Sequence, residues 1–275
     1  MTPIPLDVPD ASGMPMLGLG TWQNTDHDAR VESVRTALEM GYRHVDTAQI
    51  YGNEDAVGAG IEQSSVHRQE VFLATKVWAD NLSPDDVRRS TEESLERLGT
   101  DYLDLLYVHW PARTYDPETT LPALATLRDD GLTDRIGVSN FEPHHLDEAR
   151  AVLGETPFAN QIELHPYLQQ DELCAYAADS DVELVAYSPL ARTAVLDDPI
   201  LCEIADRHDA TAAQVSLAWI RSNGITAIPK ATGESHIREN WESIELELEE
   251  EDIERIDGIE RRDRQVNPGF GPDSW

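Results

Sequence analysis

Apolar residues along this chain fall into two alternating rhythms. Short apolar runs read as strands: MLGLG, YRHVD, VFLATKV, YLDLLYVH, RIGVS, FANQIE, VELVAYS and ITAIP. Between them lie segments whose apolar positions recur at helical spacing. These are DARVESVRTALEM, NEDAVGAGIEQ, SPDDVRRSTEESLERLG, LPALATLRDDG, HHLDEARAVLG, QQDELCAYAADS and a longer stretch from Pro199 to Ser222. Ser83-Pro84-Asp85-Asp86 predicts a helix start, with the serine as cap and the proline in the first turn. Gly99, Gly131 and Gly154 stand where helices should stop. The acidic tract ELELEEEDIERIDGIE (245–260) carries Ile253, Ile256 and Ile259 at three-residue spacing, which predicts a solvated helix docking one apolar stripe.

Eight strand–helix units without a linker predict an α/β chain folded as one (β/α)8 TIM barrel over residues 1–275. The rival is a doubly wound open sheet, which usually carries G-x-G-x-x-G after its first strand. Here Gly18-Leu19-Gly20 is followed by Thr-Trp-Gln, and Gly58-Ala59-Gly60 by Ile-Glu-Gln, so neither completes that fingerprint. The length of 275 residues fits a barrel, for which ~250 is typical.

Charge changes the picture of the surroundings. Asp and Glu total 53 against 21 Lys and Arg, a formal charge of -32. Such a charge repels itself unless salt screens it, and the Debye length shrinks to about 3 Å at 1 M salt. Only Lys76 and Lys230 are lysines; every other basic side chain, histidine aside, is arginine. An acidic, lysine-poor surface spread along the whole chain predicts a halophilic protein of a salt-rich cytoplasm. The same charge argues against nucleic-acid and anionic-membrane partners, which call for clustered cations. The start of the chain has no basic n-region or apolar h-region, and no apolar run is long enough to span a bilayer. Cys174 and Cys202 show no metal-ligand spacing, and a reduced compartment is expected.

The chemistry gathers at strand ends, where barrels of this kind place their sites. Asp46 closes YRHVD, Tyr51 follows in the next loop, Lys76 ends VFLATK and His109 ends YLDLLYVH. The second, third and fourth strands are neighbours, so their tips converge. Alternation puts Phe72, Ala74 and Lys76 on one face of the third strand, and Leu103, Leu105, Tyr107 and His109 on one face of the fourth. A tyrosine is a poor acid at neutral pH. An adjacent ammonium favours its phenolate, and typically lowers an acid's pKa by ~1–3 units. A partly buried Lys76 needs a carboxylate, which Asp46 can supply. A neutral His109 can donate to a carbonyl oxygen. Together they describe a site that gives a proton to an oxygen gaining negative charge, as carbonyl reduction requires. Taken singly, a strand-end Asp or His is more often a structural group.

In order along the chain, PMLGLGTW, GYRHVDTAQIYGNE, LATKVW, DYLDLLYVHWP, IGVSNF, NQIELHPY, AYSPL and IPKATGESHIREN resemble the motifs of the aldo-keto reductase family. Within the family the sequence is most similar to the prokaryotic diketogluconate-reductase-like group. The resemblance implies a TIM barrel that reduces aldehydes or ketones with NADPH, and a monomer by default. It makes Asp46, Tyr51, Lys76 and His109 the catalytic tetrad, with Tyr51 as general acid. It assigns Ser139, Asn140 and Gln161 to the nicotinamide carboxamide and Tyr187 to stacking on the nicotinamide ring. Thr21 and Trp22 lie in the first loop beside the cofactor, and Ser188, Pro189 and Leu190 cover the pyrophosphate. Lys230 meets the adenosine phosphate, flanked by Ala231 and Thr232, while Glu239 and Asn240 lie on the adenine side. Both lysines thus fall on functional positions.

The chain departs from the family in the adenosine-phosphate segment. Ala231 stands where a serine is common, and His236 aligns with the arginine that clamps the 2′-phosphate. A mostly neutral imidazole cannot reproduce a bidentate guanidinium–phosphate pair. Relaxed cofactor choice is expected, with NADPH bound through Lys230 and Thr232 and NADH tolerated. Trp22, Trp78 and Trp110 follow strands directly and predict an aromatic wall for a small-molecule carbonyl substrate. The Pro/Gly-broken tail RQVNPGFGPDSW resembles the family's substrate-capping loop, which adds Phe270 and Trp275. His144, His145 and His165 read as helix-start and turn residues, not metal ligands. Two rival functions remain compatible with a barrel of this kind. A non-catalytic cofactor-binding barrel, acting as sensor or subunit, need not keep Tyr51. An isomerase or metal-dependent aldolase would call for a glycine-rich phosphate loop or convergent ligands.

Overall fold

The structure, a computed structural model, describes residues 8–23 and 26–272. All eight strand runs enter one parallel sheet: β1 (Leu19–Gly20), β2 (His44–Asp46), β3 (Phe72–Val77), β4 (Leu105–Val108), β5 (Ile136–Ser139), β6 (Ala159–Glu163), β7 (Glu183–Tyr187) and β8 (Thr226–Ala227). Each strand pairs with the next in chain order. The ring closes through parallel bridges Leu17↔Ala227 and Gly20↔Lys230, with Gly18 N–H donating to Ala227 O at 2.9 Å and Gly20 N–H to Pro229 O at 3.0 Å. Gly20 is needed there, since a Cβ would stand 2.7 Å from Ile228 O. The first and last runs are shorter as strands than MLGLG and ITAIP predict. Pro229 has no N–H to extend the ladder.

Helices α1 (His27–Met40), α2 (Glu54–Gln63), α3 (Pro84–Leu98), α4 (Pro117–Asp129), α5 (Pro143–Leu153) and α6 (Asp171–Ser180) follow the predicted segments. Gly99 and Gly154 are left-handed C-caps at φ 65° and 74°, as expected. Ser83 departs from expectation: its hydroxyl donates to the Asp86 carboxylate at 2.6 Å and makes no side-chain cap bond. The stretch from Pro199 to Ser222 is two helices, α7 (Pro199–His208) and α8 (Ala212–Ser222). Asp209 turns left-handed at φ 52°, and Thr211 with Gln214 forms a capping box that restarts the helix. α9 (Glu234–Glu242) follows the last strand. Within the acidic tract only α10 (Glu250–Asp257) is α-helical; Ile256 and, just past its end, Ile259 are buried. Buried Asp252 faces Arg207 and His208, the latter at 2.6 Å, and ties α10 to α7.

Alternation sorts the strand side chains into two cores. Outward residues such as Leu73, Leu106, Val138 and Ile162 pack under the helices. Inward residues Phe72, Ala74, Leu105, Tyr107, Ala159, Val185 and Ile228 fill the bore. Gly137 leaves room for Tyr107, because a Cβ there would lie 2.6 Å from that ring. An antiparallel pair of two-residue strands, Asp10–Ala11 with Met14–Pro15, carries Met14 into the lower end of the bore. The sequence pattern does not announce this pair.

Candidate active site

The strand ends that the sequence singles out open into one cavity of about 560 Å³. Lys76, fully buried at the inward end of β3, donates to the Asp46 carboxylate and, at 2.8 Å, to Thr47 O. The second Asp46 oxygen accepts from Gln161 Nε2 at 2.8 Å. The Asp46 backbone carbonyl accepts from the Thr21 hydroxyl at 3.0 Å. Asn53 ties this corner together by donating to Thr21 O at 2.9 Å while accepting from the Thr47 hydroxyl at 2.8 Å.

Tyr51 ends a single turn of 3-10 helix (Gln49–Tyr51), which lifts its ring over the strand tips. The Lys76 ammonium stands 5.3 Å from the centre of that ring. His109 meets Tyr51 edge-on at 5.9 Å between ring centres. The four sequence-selected groups therefore do converge, with Asp46, Tyr51 and His109 lining the cavity and Lys76 just behind them.

Burial dominates the proton affinities. It pushes the Tyr51 phenol well above its ordinary value, and the Asp46 charge adds to the rise. The expectation that Lys76 pulls this phenol down is not met: desolvation and the Asp46 charge set the direction. Burial also lowers the Lys76 ammonium, opposed by Asp46 and then Glu54. His109 falls well below its ordinary value through burial and the nearby Lys76 charge, so its imidazole is neutral. Its Nδ1 is buried without a partner among the described residues. A buried N–H without an acceptor is costly, so the proton sits on Nε2.

One side of the cavity is polar and banded. Ser139 Oγ donates to Gln161 O at 2.8 Å, and Asn140 Nδ2 donates to His109 O at 3.0 Å. Tyr187 O–H donates to Asn140 Oδ1 at 2.8 Å. Asn140 holds φ 64°, a left-handed position that asparagine tolerates. Farther out, Ser188, Pro189 and Leu190 line the cavity, with Pro189 O held by the Ser216 hydroxyl at 2.8 Å. Lys230 stands at the outer edge, and Arg192 lies over the Trp22 ring at 4.8 Å. Amide groups at the inner end and cations at the outer end match a nicotinamide dinucleotide, whose carboxamide and phosphates need those donors. The remaining adenosine-side residues do not line the cavity. Ala231 and Asn240 are buried, Thr232 and Glu239 half-buried, and His236 is exposed in the first turn of α9.

The other side is aromatic. Phe270 meets Trp78 and Trp110 edge-on at 5.9 and 5.6 Å, and Trp78 meets His109 at 5.3 Å. Trp275 lies outside the described residues. Several lining residues escaped the sequence reading: Gln23, Ile50, Arg192, Thr193, Val266 and Pro268. Ile50 carried a signal, as an apolar residue beside Tyr51 that the structure leaves 51% exposed. Arg192 carried one as a cation placed just past SPL. Among the described residues no cluster of three or more His, Cys, Asp or Glu could hold a metal, and no helix is long and apolar enough to cross a membrane.

The comparison with known families is decisive here: residues 16–261 match the aldo/keto reductase family. The chain belongs to the aldo-keto reductases. It is 42% identical to methylglyoxal reductase DkgB of Escherichia coli O157:H7 over 94% of this chain and 98% of that one. It is 41% identical to glyoxal reductase of Bacillus subtilis, covering 93% and 92%. An aldo/keto reductase structure from Brucella melitensis superposes with a TM-score of 0.84 at 39% identity, covering 89% of this chain and 94% of that one. An aldo-keto reductase from a deep-sea metagenome library gives 0.86 at 35% identity, covering 94% and 97%. Family membership makes carbonyl reduction the reaction class and a nicotinamide cofactor the general reductant.

Proposed function

We propose that this aldo-keto reductase reduces aldehydes and ketones to alcohols, with Tyr51 as the proton donor. The observation that carries the reading is the convergence of Tyr51, His109 and the buried Asp46–Lys76 pair at the floor of one cavity. A bound nicotinamide supplies hydride to the carbonyl carbon. The chain's part is to hold the carbonyl and deliver a proton. His109 Nε2–H donates to the carbonyl oxygen and fixes its direction. Tyr51, kept protonated by burial, gives its phenolic proton to that oxygen as negative charge develops there. The phenolate left behind is stabilised by the Lys76 ammonium, which Asp46 holds in place through its own bonds to Lys76 and Gln161. Ser139, Asn140 and Gln161 would hold the carboxamide and Tyr187 the ring face, with Ser188, Pro189, Leu190, Arg192 and Lys230 along the phosphates.

NADPH is the proposed cofactor, with NADH tolerated. His236 offers no bidentate cation, and Arg238 in the same turn is engaged by Glu234 at 2.8 Å. Glu234, in the first helical turn, also adds negative charge beside the segment where a 2′-phosphate would sit. We further read the chain as a protein of a salt-rich cytoplasm, on its charge and its scarcity of lysine, and as a monomer on its family resemblance.

The test follows cofactor oxidation with a reactive aromatic aldehyde in molar potassium chloride, comparing wild type with Tyr51→Phe. The variant is expected to lose about 10²–10⁴-fold in kcat while still binding cofactor. Running NADPH and NADH in parallel reads the cofactor preference. A preference for NADPH by several orders of magnitude would overturn the relaxed-choice reading. Cofactor binding without turnover of any carbonyl in the wild type would favour a sensor.

A further inference from the structure

Glu163 ends β6 on the cavity side of the ring and is fully buried. Three donors converge on its carboxylate. His165 Nε2 lies 2.9 Å from Oε1, Gln265 N–H donates to Oε1 at 2.6 Å, and Val266 N–H donates to Oε2 at 2.8 Å. A carboxylate only accepts, so Nε2 of His165 carries its proton, and Nδ1 is left buried without a partner. Such an arrangement is expensive unless every bond is made, because a buried carboxylate losing a donor exposes its full desolvation cost. The two backbone donors lie about a hundred residues away in sequence, in the segment after α10. Three residues of that segment, Val266, Pro268 and Phe270, line the cavity.

We infer that Glu163 is the positioning residue for the substrate side of the pocket: its carboxylate latches the backbone at Gln265 and Val266, setting Phe270 against Trp78 and Trp110 as a wall for aromatic carbonyl substrates. This rests on the carbonyl-reductase reading above. Other attachments hold the start of the segment. Asp263 N–H donates to Tyr167 O at 2.9 Å and Arg261 stacks on Tyr167 at 4.0 Å, which fixes the start of the segment. Glu163 grips the backbone of Gln265 and Val266, while Arg113 lies over the Phe270 ring at 4.7 Å and bears on the wall itself. Glu163 bonds to no tetrad residue among the described hydrogen bonds and bears on the polar band through its charge near Tyr187, so a small carbonyl that never reaches Phe270 should be little affected by its loss.

The test uses the full chain with saturating cofactor and two substrates, benzaldehyde and glyoxal. Glu163→Gln replaces an acceptor oxygen by an N–H that faces a backbone N–H. Gln265→Pro deletes one donor but keeps the charge and its bonds to His165 and Val266, so it serves if the first variant folds poorly. Each is expected to raise KM for benzaldehyde about ten-fold, leaving kcat for glyoxal within about two-fold. Glu163→Gln combined with Phe270→Ala should be no worse than Phe270→Ala alone, since both act on one wall. Trypsin cleavage after Arg264 should quicken in Glu163→Gln, and this readout needs no turnover. An unchanged benzaldehyde-to-glyoxal KM ratio in both variants, equal losses on both substrates, or unchanged cleavage would overturn the latch. Wild type that turns over neither substrate would instead sink the reductase reading, and the cleavage rate would still decide the latch.

Discussion

The two ends of the barrel bore are built by the same strands and filled in opposite ways. At the lower end Met14 meets Phe72, and Arg135 lies across the rings of Phe72 and Phe158 at 5.5 and 4.9 Å. At the upper end the same inward register delivers Asp46, Lys76, His109 and Gln161. On β3 the sequence Phe72, Ala74, Lys76 passes from one regime to the other within three inward positions. An inward residue serves packing at one end and chemistry at the other, according to its depth along the strand. The lower end excludes water by closure; the upper end keeps charge buried by pairing it.

That contrast can be broken from either side. The largest effect is expected at the upper end: Lys76→Met should cost about 10²–10⁴-fold in kcat, since the phenolate would lose its cation. It also leaves Asp46 buried without its partner, and breaking a buried pair this way typically costs about 3–5 kcal/mol of stability. Chemical denaturation beside steady-state kinetics would separate the two losses. At the lower end Met14→Ala should cost about 2–5 kcal/mol by leaving a cavity. Activity per folded molecule should not change; a fall in kcat there would mean that the two ends are coupled.

Smaller and more diagnostic is the pH dependence of melting. His44 and His109 both have folded pKa values depressed below the ordinary 6.5, chiefly by burial. As pH falls through 6.5 the unfolded chain takes up these protons first, so stability is present above that value and falls below it. Tyr42, Tyr51 and Tyr107 are raised above the ordinary 10.0 by burial. Above pH 10 the unfolded chain releases those protons first, and stability declines again. Melting temperature should therefore fall off at both extremes, and His44→Asn with His109→Asn should flatten the acid limb.

Much of this is legible in the sequence. Period-two runs broken by helical periods are enough to name a barrel, and strand order then brings Asp46, Lys76 and His109 together. What escaped had physical reasons. The Pro199–Ser222 stretch keeps its apolar rhythm across Asp209, so the break rests on one left-handed residue and on the Thr211–Gln214 capping pair, a signal drowned by the longer period. The Met14 hairpin is too short to show any period. The failed expectation about Tyr51 turned on desolvation, which depends on what covers a ring and not on which residues neighbour it in sequence. Glu163 looked like an ordinary member of NQIELHPY because its two key partners are backbone groups about a hundred positions away.

The ring is unequally sewn. β6 and β7 share a register of five residue pairs from Ala159↔Glu183 to Glu163↔Tyr187, whereas β1 and β8 each hold their sheet neighbour by two pairs and meet one another through the bridges at Leu17 and Gly20. This sector is where the ring should part most cheaply, and amides such as Gly18 and Ala227 should trade their hydrogens for solvent ahead of those between β3 and β7. The cavity lies across it, with Thr21 and Trp22 on one lip and Ile228, Pro229 and Lys230 on the other. Whatever fills the cavity therefore buttons the barrel. A ligand at a hundredfold excess over its Kd would raise the cost of opening by about 2.7 kcal/mol. Occupancy and fold integrity are then one equilibrium, read at two places.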